Sequence, residues 1–168
     1  MRAYRAERIE NAVLFFARNH YQKTKNYLSQ TALYKYLAFF EFRYLKQTGD
    51  MPLELTYKAM KRGPVPVEIY ENRDNPSYFH KVIFEPFKTG YGNGYRIRPN
   101  GEFNSDYFAE AELSEMNNLV EVFAQKWVGS SEMSGASHES IQAWKKAFKR
   151  SQNAIIDPVE EFDRDLSG

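Results

Sequence analysis

Three histidines, His20, His80 and His138, stand far apart in this chain, and none has a partner at the spacing that places two imidazoles on one metal. His138-Glu139 begins as some zinc helices do, but the second histidine is missing, and with Ser137 ahead of it the pair reads as a helix start. There is no cysteine, which removes a thiolate zinc site, a cysteine nucleophile and a disulfide framework, and fits a reducing compartment. Gly90-Tyr91-Gly92-Asn93-Gly94 has the composition of a phosphate loop. Tyr95-Arg96-Ile97-Arg98 then alternates as a strand and Pro99 cuts it, so no helix N-terminus follows to receive an anion. A hairpin turn at Asn93-Gly94 is the better reading. Glu160-Glu161 pairs two carboxylates, but acid–base work needs a cleft that shifts their pKa values, and these read as solvated. An active site would have to be assembled from scattered residues such as Tyr57, Glu68 and His138. The expectation is a binding protein, not an enzyme, with no cofactor and no metal.

The elements that would position these residues follow from hydrophobic period. Residues 6–18 set Ile9, Ala12, Val13 and Phe16 at helical spacing, with Arg8, Glu10, Asn11 and Arg18 assigned to the wet side, and residues 19–26 form a polar connection. Ser29 or Thr31 caps a helix from Ala32 to Gln47 that is apolar on several faces and so belongs at the centre, ending at Gly49. Leu53 to Met60 alternates as a short strand; Gly63-Pro64-Val65-Pro66 forms a rigid turn; Val67 to Glu71 starts a short helix. Residues 79–88 and 94–98 read as a hairpin, with Pro99-Asn100-Gly101 leading on to a third strand. Two helices complete the pattern: one from Leu113 to Trp127 capped by Ser114, one from Ser137 in which Ile141, Trp144 and Phe148 pack inward. The expected fold is α+β, a mainly helical single domain over residues 1–150 with a small antiparallel sheet or hairpin. An acidic tail, 151–168, follows. In it Asp157-Pro158-Val159-Glu160 either caps one more turn or belongs to a mobile interaction arm.

At 168 residues, with 42% hydrophobic content including 13 Phe and 12 Tyr, the chain can fill one sizeable core. No apolar run approaches the roughly 20 residues that span a bilayer, and the first residues lack a signal peptide, so the expectation is a cytoplasmic protein without membrane contact. The net charge of +1 hides an asymmetry: residues 1–62 carry 12 Lys or Arg against 5 Asp or Glu, and residues 63–168 carry 11 against 17. A basic half attracts nucleic acid in some proteins, but charges spread over amphipathic helices are usually solvated faces, and nucleic acid is disfavoured as a partner.

Three blocks of sequence resemble one family. They are Leu33-Tyr34-Lys35-Tyr36-Leu37-Ala38-Phe39-Phe40-Glu41-Phe42, then Tyr44-Leu45-Lys46-Gln47-Thr48-Gly49, then Thr56-Tyr57-Lys58-Ala59-Met60-Lys61-Arg62-Gly63-Pro64-Val65-Pro66-Val67-Glu68-Ile69-Tyr70. Downstream, Leu113-Ser114-Glu115, Ser137-His138 and Ala143-Trp144-Lys145-Lys146-Ala147 agree with them. Together they resemble the Panacea domain of SocA-like antitoxins from bacteria and their phages. Two departures bear on partner choice: a longer polar stretch around Tyr21 to Leu28, and Lys61-Arg62 where the family often has an aromatic residue before Gly-Pro. The resemblance implies an α+β antitoxin that neutralises a cognate protein toxin by direct contact, with no catalytic residues. Alternatives are an adaptor that delivers the toxin to an ATP-dependent protease, and a nucleic-acid-binding phage or operon regulator. The residues singled out as scaffold or partner contact are Tyr57, Arg62, Gly63, Pro64, Val65, Pro66, Glu68, Tyr70, His138 and Trp144. Because toxins differ across the family, the motif is expected chiefly to brace the fold, with the rim of the turn at Arg62 as the first contact candidate.

Overall fold

A computed structural model describes residues 2–90, 92–124 and 141–162. Helix α1 (Arg5–Thr24) leads through the two-residue strand β1 (Leu28–Ser29) into α2 (Gln30–Thr48). Strands β2 (Tyr57–Met60) and β3 (Gly63–Pro66) run directly into α3 (Val67–Asn72), and β4 (Val82–Thr89) pairs with β5 (Gly92–Pro99). Helix α4 (Glu110–Phe123) follows; then come α5 (Gln142–Arg150), β6 (Ala154–Ile155) and a 3-10 turn at Pro158–Glu161. The strands form two antiparallel sheets of three, ordered β1-β5-β4 and β3-β2-β6. The expected α+β, mainly helical architecture is what the chain adopts. No described helix is long and apolar enough to cross a membrane.

Helix α2 is the axis of the core, as its apolar faces on several sides require. Leu33, Tyr36, Leu37 and Phe40 are wholly buried; Tyr36 stacks on Phe16 of α1 at 4.9 Å and Phe39 on Phe123 of α4 at 5.1 Å. Each such side chain removed from water contributes about 2 kcal/mol. Ser29 accepts the Ala32 amide at 3.1 Å as N-cap, and Gly49, at φ 81°, closes the helix in the left-handed conformation glycine favours.

Several boundaries differ from the sequence expectation, each for a polar reason. Helix α1 continues through residues 19–24, where Asn19 and Thr24 bond back to the carbonyls of Phe15 and His20. Arg8, Glu10 and Asn11 are buried, not wet: Arg8 donates to the Pro52 carbonyl, Glu10 accepts the His80 amide at 2.6 Å, and Asn11 accepts the Asn104 amide at 2.9 Å. The strand begins only at Tyr57, because the Leu53, Glu54 and Leu55 amides are taken by a side chain and not by a neighbouring strand. Asn93-Gly94 lies inside β5. The ladder closes at Thr89↔Gly92, which satisfies more backbone amides than a reversal at Asn93-Gly94 would. The third strand of that sheet is β1, not a segment after Gly101. Helix α4 starts at Glu110, ahead of Ser114, because the Glu112 carboxylate accepts the Ala109 amide at 2.8 Å. The expected features at Trp127, Gly129 and Ser137 lie outside the described residues.

The segment after α5 is tied to the fold. Asp157 caps its turn by accepting the Val159 amide at 3.1 Å, with proline at the first position. Glu161 is not solvated: it is buried and accepts the Ala143 amide at 2.9 Å, capping the N-terminus of α5 from outside that helix, while Glu160 pairs with Arg150 at the surface at 2.7 Å. Burial holds the Glu161 carboxyl above its ordinary pKa.

Candidate interaction surface

Gly63-Pro64-Val65-Pro66, expected as a turn, is the edge strand β3; the reversal is Lys61-Arg62. The register is Tyr57↔Pro66, Lys58↔Val65, Ala59↔Pro64 and Met60↔Gly63. On the other side of β2, the Tyr57 and Ala59 carbonyls accept the Ile156 and Asn153 amides at 2.9 and 2.7 Å. In an extended strand the backbone groups of alternate residues point to opposite sides, so Lys58 and Met60 direct theirs toward β3 and pair with Val65 and Gly63. Pro64 and Pro66 therefore occupy the positions whose amides would point outward, and proline has none. The alternation leaves the free edge without donors and closes it to strand addition. Gly63 has φ 121°, a conformation that only glycine adopts readily.

Buried polar groups hold this hairpin from beneath. Glu41 of α2 is fully buried; its carboxylate accepts the Leu53, Glu54 and Leu55 amides at 3.0, 3.1 and 3.1 Å and the Tyr57 hydroxyl at 3.2 Å. Burial pushes its pKa up to about 7 against the pull of those donors. Lys35, 1% exposed, donates to the Arg62 carbonyl at the reversal, and burial lowers its pKa to about 7. The Trp144 indole, stacked on Phe148 at 4.8 Å, donates to the Met60 carbonyl at 2.9 Å. Glu68 ties α3 to α1 through Arg5 at 2.9 Å and also accepts from the Tyr78 hydroxyl.

The opposite face of this sheet looks outward. Val65, Lys58 and Ile155 form one row across the three strands, with Met60 two residues further along β2. Met60 is 38% exposed and Ile155 53%, and Tyr70 of α3, at 48%, stands beside them under the Arg73 guanidinium, 4.5 Å from its ring centre. Lys58, Met60, Val65, Val67, Tyr70, Glu71 and Asn153 line a cleft of about 280 Å³. Lys58, Lys61 and Arg62 make no ion pair among the described residues. A second hollow, of about 420 Å³, is lined by Arg2, Tyr4, Arg8, Asn104, Asp106 and Tyr107, but its arginines are already spent on Asp50, Glu112 and carbonyls.

The structure thus gathers Tyr57, Arg62, Gly63, Pro64, Val65, Pro66, Tyr70 and Trp144 around one hairpin, with Glu68 bracing the helix that follows. His138 lies outside the described residues. Tyr57 and Glu68 are committed to different partners, Glu41 on one side and Arg5 with Tyr78 on the other. Lys58, Met60 and Ile155 were not singled out in the sequence. The alternation of β2 marks the first two as outward; Ile155 joins them only through the pairing of β6.

Part of the charge asymmetry is paired within the fold. Arg5 pairs with Glu68, Arg8 with Glu112 at 2.5 Å, Lys23 with Glu121 and Arg43 with Glu115 at 3.2 Å, so basic residues of the first part meet acidic residues of the second. No group of three or more His, Cys, Asp or Glu converges to hold a metal among the described residues.

What fold and surface define is a helical α+β domain built around a braced strand–strand–helix motif whose outer face exposes Met60, Ile155 and Tyr70 around Lys58. The chain belongs to the family of the antitoxin SocA-like, Panacea domain, whose model matches residues 33–145. No curated protein and no solved structure matches it. Helix α1 and the segment 154–162 lie outside the matched interval, yet both complete the domain, α1 through Arg5 and Arg8 and the later segment through β6 and Glu161.

Proposed function

We propose that this chain is the antitoxin of a bacterial or phage toxin–antitoxin pair, acting in the cytoplasm and neutralising a cognate protein toxin by direct contact. The observation that carries this is the family match across the motif hairpin and the helices that brace it. Supporting it, the polar residues that an active site would require are engaged within the fold: Tyr57 on Glu41, Glu68 on Arg5 and Tyr78, Trp144 on the Met60 carbonyl. Contact, not catalysis, is then what the surface offers. Arg5, Arg8, Lys23 and Arg43 of the basic first part are paired with carboxylates of the second part, which takes those four cations away from a phosphate-binding role.

Coexpression with the product of the adjacent reading frame tests the proposal. Growth arrest by that product alone, relieved when this chain is coexpressed, and copurification of the two, are the expected results. A neighbour that is harmless alone, or that stays toxic and does not copurify, refutes it.

A further inference from the structure

The outer face of the sheet β3-β2-β6 combines three properties. It exposes Met60, Ile155 and Tyr70 beside a cleft that could receive an apolar side chain. It is preorganised: Lys35 holds the reversal, Trp144 holds the end of β2 and Glu41 holds the approach to it, so little entropy is lost on contact. It carries Lys58, Lys61 and Arg62, three exposed cations within five residues that make no ion pair among the described residues.

We propose that this face docks a segment of the toxin in which an apolar side chain enters the cleft between Met60, Val65 and Tyr70 and neighbouring carboxylates reach Lys58, Lys61 and Arg62; this rests on the antitoxin assignment above. Glu71 at the opposite rim repels carboxylates and so sets the direction in which the segment lies. The proline-closed edge of β3 means that the segment is read by side chains on the face, not by joining the sheet at that edge. A second copy of this chain is a poor occupant, because two-fold pairing of the same face sets the three cations against their own images.

The test uses the full chain and the toxin of the adjacent reading frame. Met60→Asp and Lys58→Glu are expected to weaken binding in calorimetry by about thirtyfold or more, as central contacts do. Their melting curves stay at the wild-type position, and Ile83→Asp, on the outer face of the other sheet, binds as wild type. Raising salt weakens the wild-type complex, and does so less for Lys58→Gln combined with Arg62→Gln. If wild type binds and Met60→Asp and Lys58→Glu bind within about twofold of it, the face is not the interface, while the antitoxin assignment stands. If wild type does not bind the toxin at all, the antitoxin assignment itself fails. A photo-crosslinking benzoylphenylalanine in place of Ile155 decides the occupant. An adduct to the toxin supports the proposal; an adduct to a second copy or to residues 125–140 of the same chain overturns it.

Discussion

Both sheets have three antiparallel strands, the first built on the long β4–β5 hairpin against α1 and α2 and the second on the short β2–β3 hairpin against α2 and α5, and their outer faces differ in how charge is paired. In the first sheet Glu85 accepts from Arg96 at 3.2 Å and lies 3.6 Å from Arg98, while the Arg96 guanidinium covers the rings of Tyr27 and Phe87 at 5.5 and 5.6 Å. That face pairs the Glu85 carboxylate with two arginines and covers Tyr27 and Phe87, while Ile83 stays 44% exposed. In the second, Lys58 stands between Val65 and Ile155 with no ion pair among the described residues, and Met60 and Tyr70 remain exposed. Beneath the faces the contrast is reversed. The first sheet rests on apolar contacts of Val82, Phe84 and Ile97, whereas the second is pinned by two buried titratable residues, Glu41 and Lys35. The docking proposed for the second face uses this combination of exposed side chains outside and buried polar anchors inside.

The largest expected effect comes from removing the inner pin. Glu41→Ala leaves the Leu53, Glu54 and Leu55 amides and the Tyr57 hydroxyl without their acceptor, and urea denaturation is expected to show a loss of about 4 kcal/mol. A loss under about 1 kcal/mol would mean that the second sheet is no more dependent on buried polar groups than the first.

Lys35 sharpens the same contrast through pH. Its folded pKa of about 7 lies below the ordinary 10.5, so between these values the unfolded chain holds a proton that the folded chain has released. Stability therefore rises with pH across that window, by up to about 1.4 kcal/mol per unit, and the gain is lost as pH falls toward 7. Thermal melts of wild type and Lys35→Met from pH 7 to 10 check this: the slope should flatten in the variant.

Smaller effects separate the edges and outer faces. Pro64→Thr restores one outward amide on β3, and concentration-dependent association should appear in light scattering; none would show that the prolines do not guard the edge. Glu85→Ala frees Arg96 and Arg98 of the first sheet. Its melting midpoint should not move measurably, since exposed ion pairs contribute little, but retention on a heparin column at low salt should increase. No increase would mean that the two outer faces differ less in available charge than their pairing indicates.

Much of this architecture is legible in residue order. The apolar faces of Leu33 to Leu45 place α2 at the centre, Ser29 and Gly49 mark its ends, and the alternation of Tyr57 to Met60 separates an inner from an outer row. A lysine and a glutamate at positions 35 and 41 inside so apolar a helix were a further signal that something polar must meet them there. What they meet was not legible, because the partners are a backbone carbonyl 27 residues away and three backbone amides whose availability depends on a loop conformation. For the same reason Gly63-Pro64-Val65-Pro66 passed for a turn. Proline excludes helix and interior strand equally, and only the pairing of β2 with β6 shows which amides of β3 would have faced outward.

The sequence by itself determined the class of fold, the central helix and the family motif, because these follow from local period, caps and residue order, which need only near neighbours. The tertiary structure alone decided that Arg5, Arg8, Lys23 and Arg43 meet acidic residues of the second part, that Ile155 completes an outer row with Lys58 and Val65, and that Lys58, Lys61 and Arg62 stay exposed without an ion pair among the described residues. Those outcomes depend on which distant side chains arrive at the same place, and linear spacing does not carry that information.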